Sequence, residues 1–358
     1  MAAFTTVDDP GAYFNTITWT GADATLTRSF TGVGFQPDAC WYHGRNVAYN
    51  GAIWDAVRGA GAEKDIIVNT DAIEGAGDWN EYGYVGSFDS DGFTGTKGSI
   101  SNGYFNNATY TYLMWNWKAG TTTGIDTTGS SITPSAYSLN QDAGFSIIKY
   151  TGNGGASGLI PHGLGTTPEF MFIKNLDYAN DWAIYHKYVD ATAPEDYYLK
   201  YTTAARTDSA TRWNDTAPTS VLFTVGSDST VNDSYDYIAY CFTGKQGYSN
   251  FGSYEGNGNA DGTVVYTGFR PAFVMCKDID STSDWLMFDN KRIGFNVANY
   301  VLEANATTVE ATTVLIDILS NGFKFRSTAN PNTSSTYIYA AFAESPFVNS
   351  NSVPTNAR

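Results

Sequence analysis

Apolar residues along the chain fall in alternating stretches or in short runs of four to eight, each closed by Gly, Asn, Asp or Pro. A period of two with frequent breakers predicts β-strands joined by tight turns, and no stretch carries the periodicity of a long helix. Three landmarks then recur. A Gly-x-x-Pro corner feeds a strand at Gly34–Cys40, at Gly165–Lys174 and at Gly268–Lys277, with Pro37, Pro168 and Pro271 in register. Proline fixes φ and carries no N–H, which suits a strand entry. Upstream lie Trp19-Thr20-Gly21, Tyr150-Thr151-Gly152 and Tyr254-Glu255-Gly256. Downstream, a closing strand begins near Tyr112, Tyr237 and Tyr337, 75, 69 and 66 positions after its proline. Three landmarks in one order, three times, predict an internal repeat of about 110 residues.

The fold class that follows is all-β, with three tandem divergent β-sandwich units of jelly-roll type. Each unit is expected to have six to nine strands and no helix longer than about three turns. The boundaries are residues 1–120 for the first unit, 121–141 for a Ser/Thr-rich linker, 142–246 for the second, 247–347 for the third and 348–358 for a polar, loosely held tail. The linker is expected to let the first unit move, whereas the direct junction at Gln246-Gly247 is expected to hold the other two rigidly together. Three repeats can close into a ring or stack as a rod. The mobile linker favours a projecting rod, with the first unit as an attachment module.

The composition narrows the function. Lys+Arg 20 against Asp+Glu 36 leaves a net charge of −16, which repels a phosphate backbone, so no nucleic-acid partner is expected. Nothing approaches the ~18 apolar residues of a membrane span, and the N-terminus lacks the pattern of a secretion signal, so membrane insertion is not expected. Cys40, Cys241 and Cys276 lie in apolar runs without metal-type spacing and read as buried thiols.

Candidate chemistry is sparse. His43, His162 and His186 do not recur in register, which argues against a repeated catalytic or metal site. Asp89-Ser90-Asp91-Gly92 starts like a calcium loop but lacks the bidentate Glu, and reads as a turn that seats Phe93. Asp181-Trp182 and Asp284-Trp285 stand 14 positions beyond Pro168 and Pro271. A carboxylate beside an indole can bind a sugar or anchor a core, but one carboxylate cannot act as both acid and nucleophile in glycoside hydrolysis. The fixed offset favours Trp182 and Trp285 as core anchors; the four residues are also the candidates for ligand binding, and no catalytic, cofactor-binding or metal residue is assigned. The Asn-x-Ser/Thr matches at Asn107, Asn214, Asn232, Asn305 and Asn332 carry little weight in a chain so rich in these residues.

The same landmarks carry a family resemblance. Tyr150-Thr151-Gly152-Asn153-Gly154, His162-Gly163-Leu164-Gly165, Asp181 to His186, Trp213 to Pro218, Ala239 to Phe242, Tyr266 to Met275 and Ala341 to Glu344 resemble a marine bacteriophage family of virion structural, tail-fibre-like proteins. Ser87 to Phe93 and Trp115 to Gly120 extend the likeness loosely into the first unit. The resemblance implies lectin-like jelly-roll units in a non-enzymatic virion component assembled in the host cytoplasm, without a cofactor. It would be oligomeric on the particle and would contact other virion proteins and a host cell-surface glycan, as a tail adsorption protein or a capsid decoration. The alternatives are a free carbohydrate-binding module and a glycan hydrolase.

Overall fold

A computed structural model describes residues 5–293 and 296–355. The first and last few residues of the N-terminal and tail readings lie outside that range. The first lobe contains β1 (Phe14–Thr20), β2 (Arg28–Thr31), β3 (Ala39–Gly44), β4 (Ala52–Asp55), β5 (Ile66–Ile67), β6 (Tyr84–Asp89), β7 (Gly92–Thr96) and β8 (Thr111–Trp117). The second contains β9 (Ala136–Asn140), β10 (Phe145–Thr151), β11 (Gly158–Pro161), β12 (Phe170–Asn175), β13 (Ala183–His186), β14 (Tyr197–Tyr198), β15 (Thr207–Asp208), β16 (Leu222–Val225) and β17 (Asp236–Phe242). The third contains β18 (Ser249–Glu255), β19 (Val264–Tyr266), β20 (Phe269–Asp278), β21 (Leu286–Asp289), β22 (Ala298–Glu303), β23 (Ala311–Leu319), β24 (Gly322–Phe325) and β25 (Thr336–Pro346). The described helices, α1 (Trp79–Tyr82), α2 (Gly103–Asn106) and α3 (Ala210–Trp213), span one turn each.

All strand pairs are antiparallel, and one strand order appears in each lobe. The principal sheets run β1-β8-β3-β4-β5, β9-β10-β17-β12-β13 and β18-β25-β20-β21-β22. Facing them are β2-β7-β6, β11-β16 and β19-β24-β23, and in the third lobe β22 joins β23 so that one eight-stranded sheet folds nearly closed. The protein is thus all-β, of the β-sandwich class.

The strand registers explain why the aromatic landmarks sit where they do. Trp19 lies opposite Tyr112, Tyr150 opposite Tyr237 and Tyr254 opposite Tyr337. Their rings stack at 5.5, 5.1 and 5.0 Å, with interplanar angles of 24°, 15° and 6°. Cross-strand aromatic pairs of this kind each stabilise a sheet by roughly 0.2–1 kcal/mol. Just beyond each pair, Gly21, Gly152 and Gly256 run against backbone. A Cβ there would lie 2.0, 2.1 and 1.9 Å from the carbonyl oxygens of Asn107, Asp233 and Thr333, so only glycine fits. Beside them the amide oxygens of Asn106, Asn232 and Asn332 accept the N–H groups of Ala22, Asn153 and Asn257.

Alternation along the principal strands divides the side chains between two cores. In β3, Cys40 and Tyr42 point into the first lobe's own interior, while Ala39 and Trp41 point the other way. In β8 the same split separates Tyr112 and Met114 from Leu113, Trp115 and Trp117. The second set meets its counterparts from the other two lobes in one shared core, including Phe172, Tyr240 and Phe242 from the second and Phe273, Met275 and Phe342 from the third. At its centre Trp117, Phe242 and Phe342 occupy matching register positions and touch one another at 5.6–6.4 Å. Each principal sheet is therefore buried on both faces, which accounts for uninterrupted apolar runs such as Ala239-Tyr240-Cys241-Phe242.

This arrangement is a closed ring, and it corrects the projecting rod with a mobile first unit. The segment read as a linker is tied down. Its residues 136–140 form β9 and pair with β10, Thr121 bridges Leu139, and the Ser138 hydroxyl donates to Asp38 of the first lobe at 2.8 Å. The tail is also held: Ser350 N donates to Asp8 at 2.7 Å and Thr355 N to the Phe347 carbonyl at 3.1 Å. Pro37 and Pro168 precede their strands as expected, but Pro271 lies inside β20, where the pairing with β25 slips register. A bulge tolerates the missing N–H there.

Candidate functional site

The residues singled out from sequence sit at the junctions between lobes. Trp182 and Trp285 immediately precede β13 and β21 and are only 2% and 1% exposed. The Trp182 Nε1 donates across the junction to the Ile67 carbonyl of the first lobe at 3.2 Å. Trp285 Nε1 donates in the same way to the Lys200 carbonyl of the second lobe at 2.8 Å. Both rings also meet Tyr201 edge-on, at 5.7 and 5.3 Å. Neither indole keeps a face open for a sugar. Asp181 pairs with Lys200 at 2.6 Å, and Asp284 accepts from Asn305 Nδ2 at 2.8 Å. The ligand-binding reading of these four residues is thus replaced by a structural one, because the ring covers surfaces that an isolated sandwich would expose.

Three further register-matched sets complete the junctions, and sequence reasoning missed them. Lys174 and Lys277 are fully buried at the same position of β12 and β20. Lys174 Nζ donates to the carbonyls of Asp71, in the first lobe, and Asn180; Lys277 Nζ donates to those of Thr203, in the second lobe, and Ser283. Burial lowers both ammonium pKa values to about 8. The backbone N–H groups of Glu74, Arg206 and Glu310 reach the carbonyls of Leu176, Ile279 and Arg45 on the next lobe, at 3.1, 3.0 and 2.6 Å. The last residues of β4, β13 and β21 cross in the same direction. Asp55 accepts from the Tyr240 hydroxyl at 2.6 Å, His186 Nε2 donates to the Tyr339 carbonyl at 3.1 Å and Asp289 accepts from Trp115 Nε1 at 3.3 Å. Three equivalent crossings close the ring. Each set keeps its residue type in only two lobes of three, Lys174 with Lys277, Glu74 with Glu310 and Asp55 with Asp289, and the repeated Asp-x-x-Arg at Asp55–Arg58 and Asp289–Arg292 was the signal that could have found them.

The junction between the third and first lobes is built differently. Gly51 and His43 stand where the other junctions have Trp and Lys. There Arg45 forms a bidentate pair with Glu310 at 2.9 and 3.0 Å, and Glu310 also holds Arg292 at 3.1 Å. Buried Arg–carboxylate forks give directional contacts that a shorter side chain cannot.

The remaining sequence candidates serve the fold. Asp91 accepts the N–H groups of Gly32 and Gly34 at 3.1 and 2.6 Å, and Asp89 accepts the hydroxyls of Ser87 and Thr94. Among the described residues, no three His, Cys, Asp or Glu side chains converge as a metal site. All three cysteines are buried and free. The His186 Nδ1 accepts the Tyr188 N–H and His162 Nδ1 the Leu164 N–H, so each ring carries its proton on Nε2. Burial lowers both imidazole pKa values to about 4. Between pH 6.5 and about 4 the unfolded chain therefore binds protons that the folded ring refuses. Stability should be level near pH 7, fall as the pH drops from about 6.5 to about 4, and gain no further loss from these histidines below that. Denaturation midpoints at pH 7.5, 5.5 and 4.5 check this, and His186→Gln should flatten the fall.

At one end of the ring, two inter-lobe crevices of about 380 and 410 Å³ remain open. Each contains a register-matched carboxylate. Asp38 accepts the Ala119 N–H in the first and Glu169 the Gly244 N–H in the second, at 2.8 and 2.9 Å. The second crevice is flanked by Tyr266, 66% exposed at the end of β19. At this end the ring therefore has two related open crevices.

No curated protein and no solved structure matches the chain. A family model does match, from residue 9 to residue 346, and so spans all three lobes as one unit. The chain belongs to this family, which is described as a domain of unknown function, DUF7483.

Proposed function

We propose that the protein is a structural component of a bacteriophage particle, made of three divergent copies of one sandwich, and that it acts through contacts rather than catalysis. The observation that carries this reading is the closed ring: one chain presents three related lobes about a common core. Such an object suits a site of threefold or pseudo-threefold symmetry, because one monomer meets matching surfaces on three neighbours. The ring favours a compact decoration or knob over a fibre shaft. Its buried titratable groups, Asp55, Lys174, His186, Lys277 and Asp289, are committed to inter-lobe bonds. The net charge of −16 points toward protein partners rather than nucleic acid. The likeness of the aromatic and glycine landmarks to phage virion proteins supports the same assignment. Immunogold labelling of density-purified particles, with mass spectrometry of their proteins, tests it. The chain should be present in stoichiometric amount at a fixed place on the particle. Its absence from purified particles would overturn the proposal.

A further inference from the structure

In the first lobe, Asn50 occupies the register position that Asp181 and Asp284 hold in the other lobes. There a neutral amide replaces the carboxylate, accepts from Asn69 Nδ2 much as Asp284 accepts from Asn305, and lines a pocket of about 120 Å³. The floor is Ile67 and Trp79, one wall is Tyr104, and Asp78 stands exposed at the rim. Gly77 completes the lining. A Cβ there would lie 2.3 Å from Trp79 Cδ1 and 2.8 Å from Asp65 Oδ2, so the pocket depends on that glycine. Around it Tyr104 packs on Trp79 at 4.6 Å, Tyr49 at 4.5 Å and Tyr82 at 5.2 Å.

Behind the lining lies an incomplete polar layer. Asn69 Nδ2 donates to Asn50 Oδ1 at 2.8 Å, which leaves Asn69 Oδ1 buried without a partner; turning both amides would only exchange the orphaned atom. Asp65 Oδ2 accepts the Gly77 N–H at 3.2 Å, while its Oδ1 is likewise buried and unpaired. Both belong to side chains bonded to the lining, and a buried polar atom without a partner calls for one.

We infer that this pocket binds the terminal residue of a neutral glycan. A pyranose ring has an apolar C–H face for Ile67 and the aromatic wall. Its neighbouring hydroxyls, each a donor and an acceptor, match an amide at Asn50 and a carboxylate at Asp78. An anionic ligand is disfavoured, since Asp78 and Glu81 both lie close enough to push the Tyr104 hydroxyl up, after burial, to about 12. An ammonium ligand needs an open aromatic face. Trp79 is 2% exposed and packed against Tyr42, Trp54 and Tyr104, so Tyr104 alone offers a ring edge or face here and no aromatic cage surrounds a cation.

The site does not depend on whether the protein is carried on a particle, so its test is separate from particle labelling. Saturation-transfer NMR on the full chain, with millimolar glucose, galactose, mannose, N-acetylglucosamine and tetramethylammonium, reads it directly. At least one neutral sugar should show transfer. Asn50→Ala and Asp78→Asn should each weaken its binding tenfold or more at an unchanged melting midpoint. Gly77→Ala should abolish it. Transfer to tetramethylammonium alone, transfer to no sugar, or binding undiminished in Asn50→Ala and Asp78→Asn would each overturn the inference.

Discussion

Deleting residues 1–120 is expected to unfold the rest of the chain rather than release a free pair of lobes. The first lobe contributes Phe14, Trp41, Ile53, Leu113, Trp115 and Trp117 to the shared core. Burial of a large apolar side chain stabilises by ~1.5–3 kcal/mol, so losing these six removes roughly 9–18 kcal/mol. That is comparable to the entire stability of a typical domain, about 5–15 kcal/mol. The truncated chain would also expose Phe273, Phe342 and Phe242 and lose the partners of Trp182 Nε1 and Lys174 Nζ. Circular dichroism and denaturant titration of residues 121–358 provide the check. A soluble fragment with a cooperative transition would show that the lobes fold independently and that the shared core adds little.

The second large effect is expected from Arg292→Met. The guanidinium is fully buried and holds Asp289 at 2.7 Å, Glu310 at 3.1 Å and the Met287 carbonyl at 2.9 Å. Removing it leaves the Asp289 carboxylate buried with the Trp115 indole and two backbone N–H groups. Breaking one side of such a pair typically costs ~3–5 kcal/mol, most of it from the uncompensated charge. Arg58, which binds Asp55 at 2.5 Å, Glu74 at 3.0 Å and the Ile53 carbonyl at 3.2 Å, should behave alike. The second lobe already shows the neutral solution, with His186 and Val189 at the register of Asp289 and Arg292. The double variant Asp289→His/Arg292→Val should therefore recover much of the loss, read as the midpoint of a denaturant titration. A double variant no better than Arg292→Met would show that the penalty comes from packing rather than from an isolated charge.

Much of the strand framework is legible along the chain because its causes are local. Trp19, Tyr150 and Tyr254 mark β1, β10 and β18, and Tyr112, Tyr237 and Tyr337 their partners β8, β17 and β25, since a cross-strand aromatic pair needs both members at a fixed register. Gly21, Gly152 and Gly256 recur because backbone passes where a Cβ would sit. The junctions were not legible. His43, Lys174 and Lys277 share one position, as do Asp55, His186 and Asp289, yet no residue type runs through all three members of either set. Each member needs only to meet a carbonyl, hydroxyl or indole on another lobe, and several chemistries do that.

The sequence by itself determined the β-class, the turns, the threefold recurrence of landmarks and the core position of Trp182 and Trp285. Periodicity and glycine or proline geometry act within a few residues, so they can be read without knowing what lies opposite. The tertiary structure alone decided that the lobes close into a ring, that Thr121–Asn140 is held rather than loose, and that the buried indoles of Trp182 and Trp285 reach carbonyls of a neighbouring lobe. It also showed that the open pocket lies at Asn50. Those outcomes depend on which outer sheet faces find one another, and the pairing energy resides in contacts between residues a hundred or more positions apart, such as Trp117, Phe242 and Phe342.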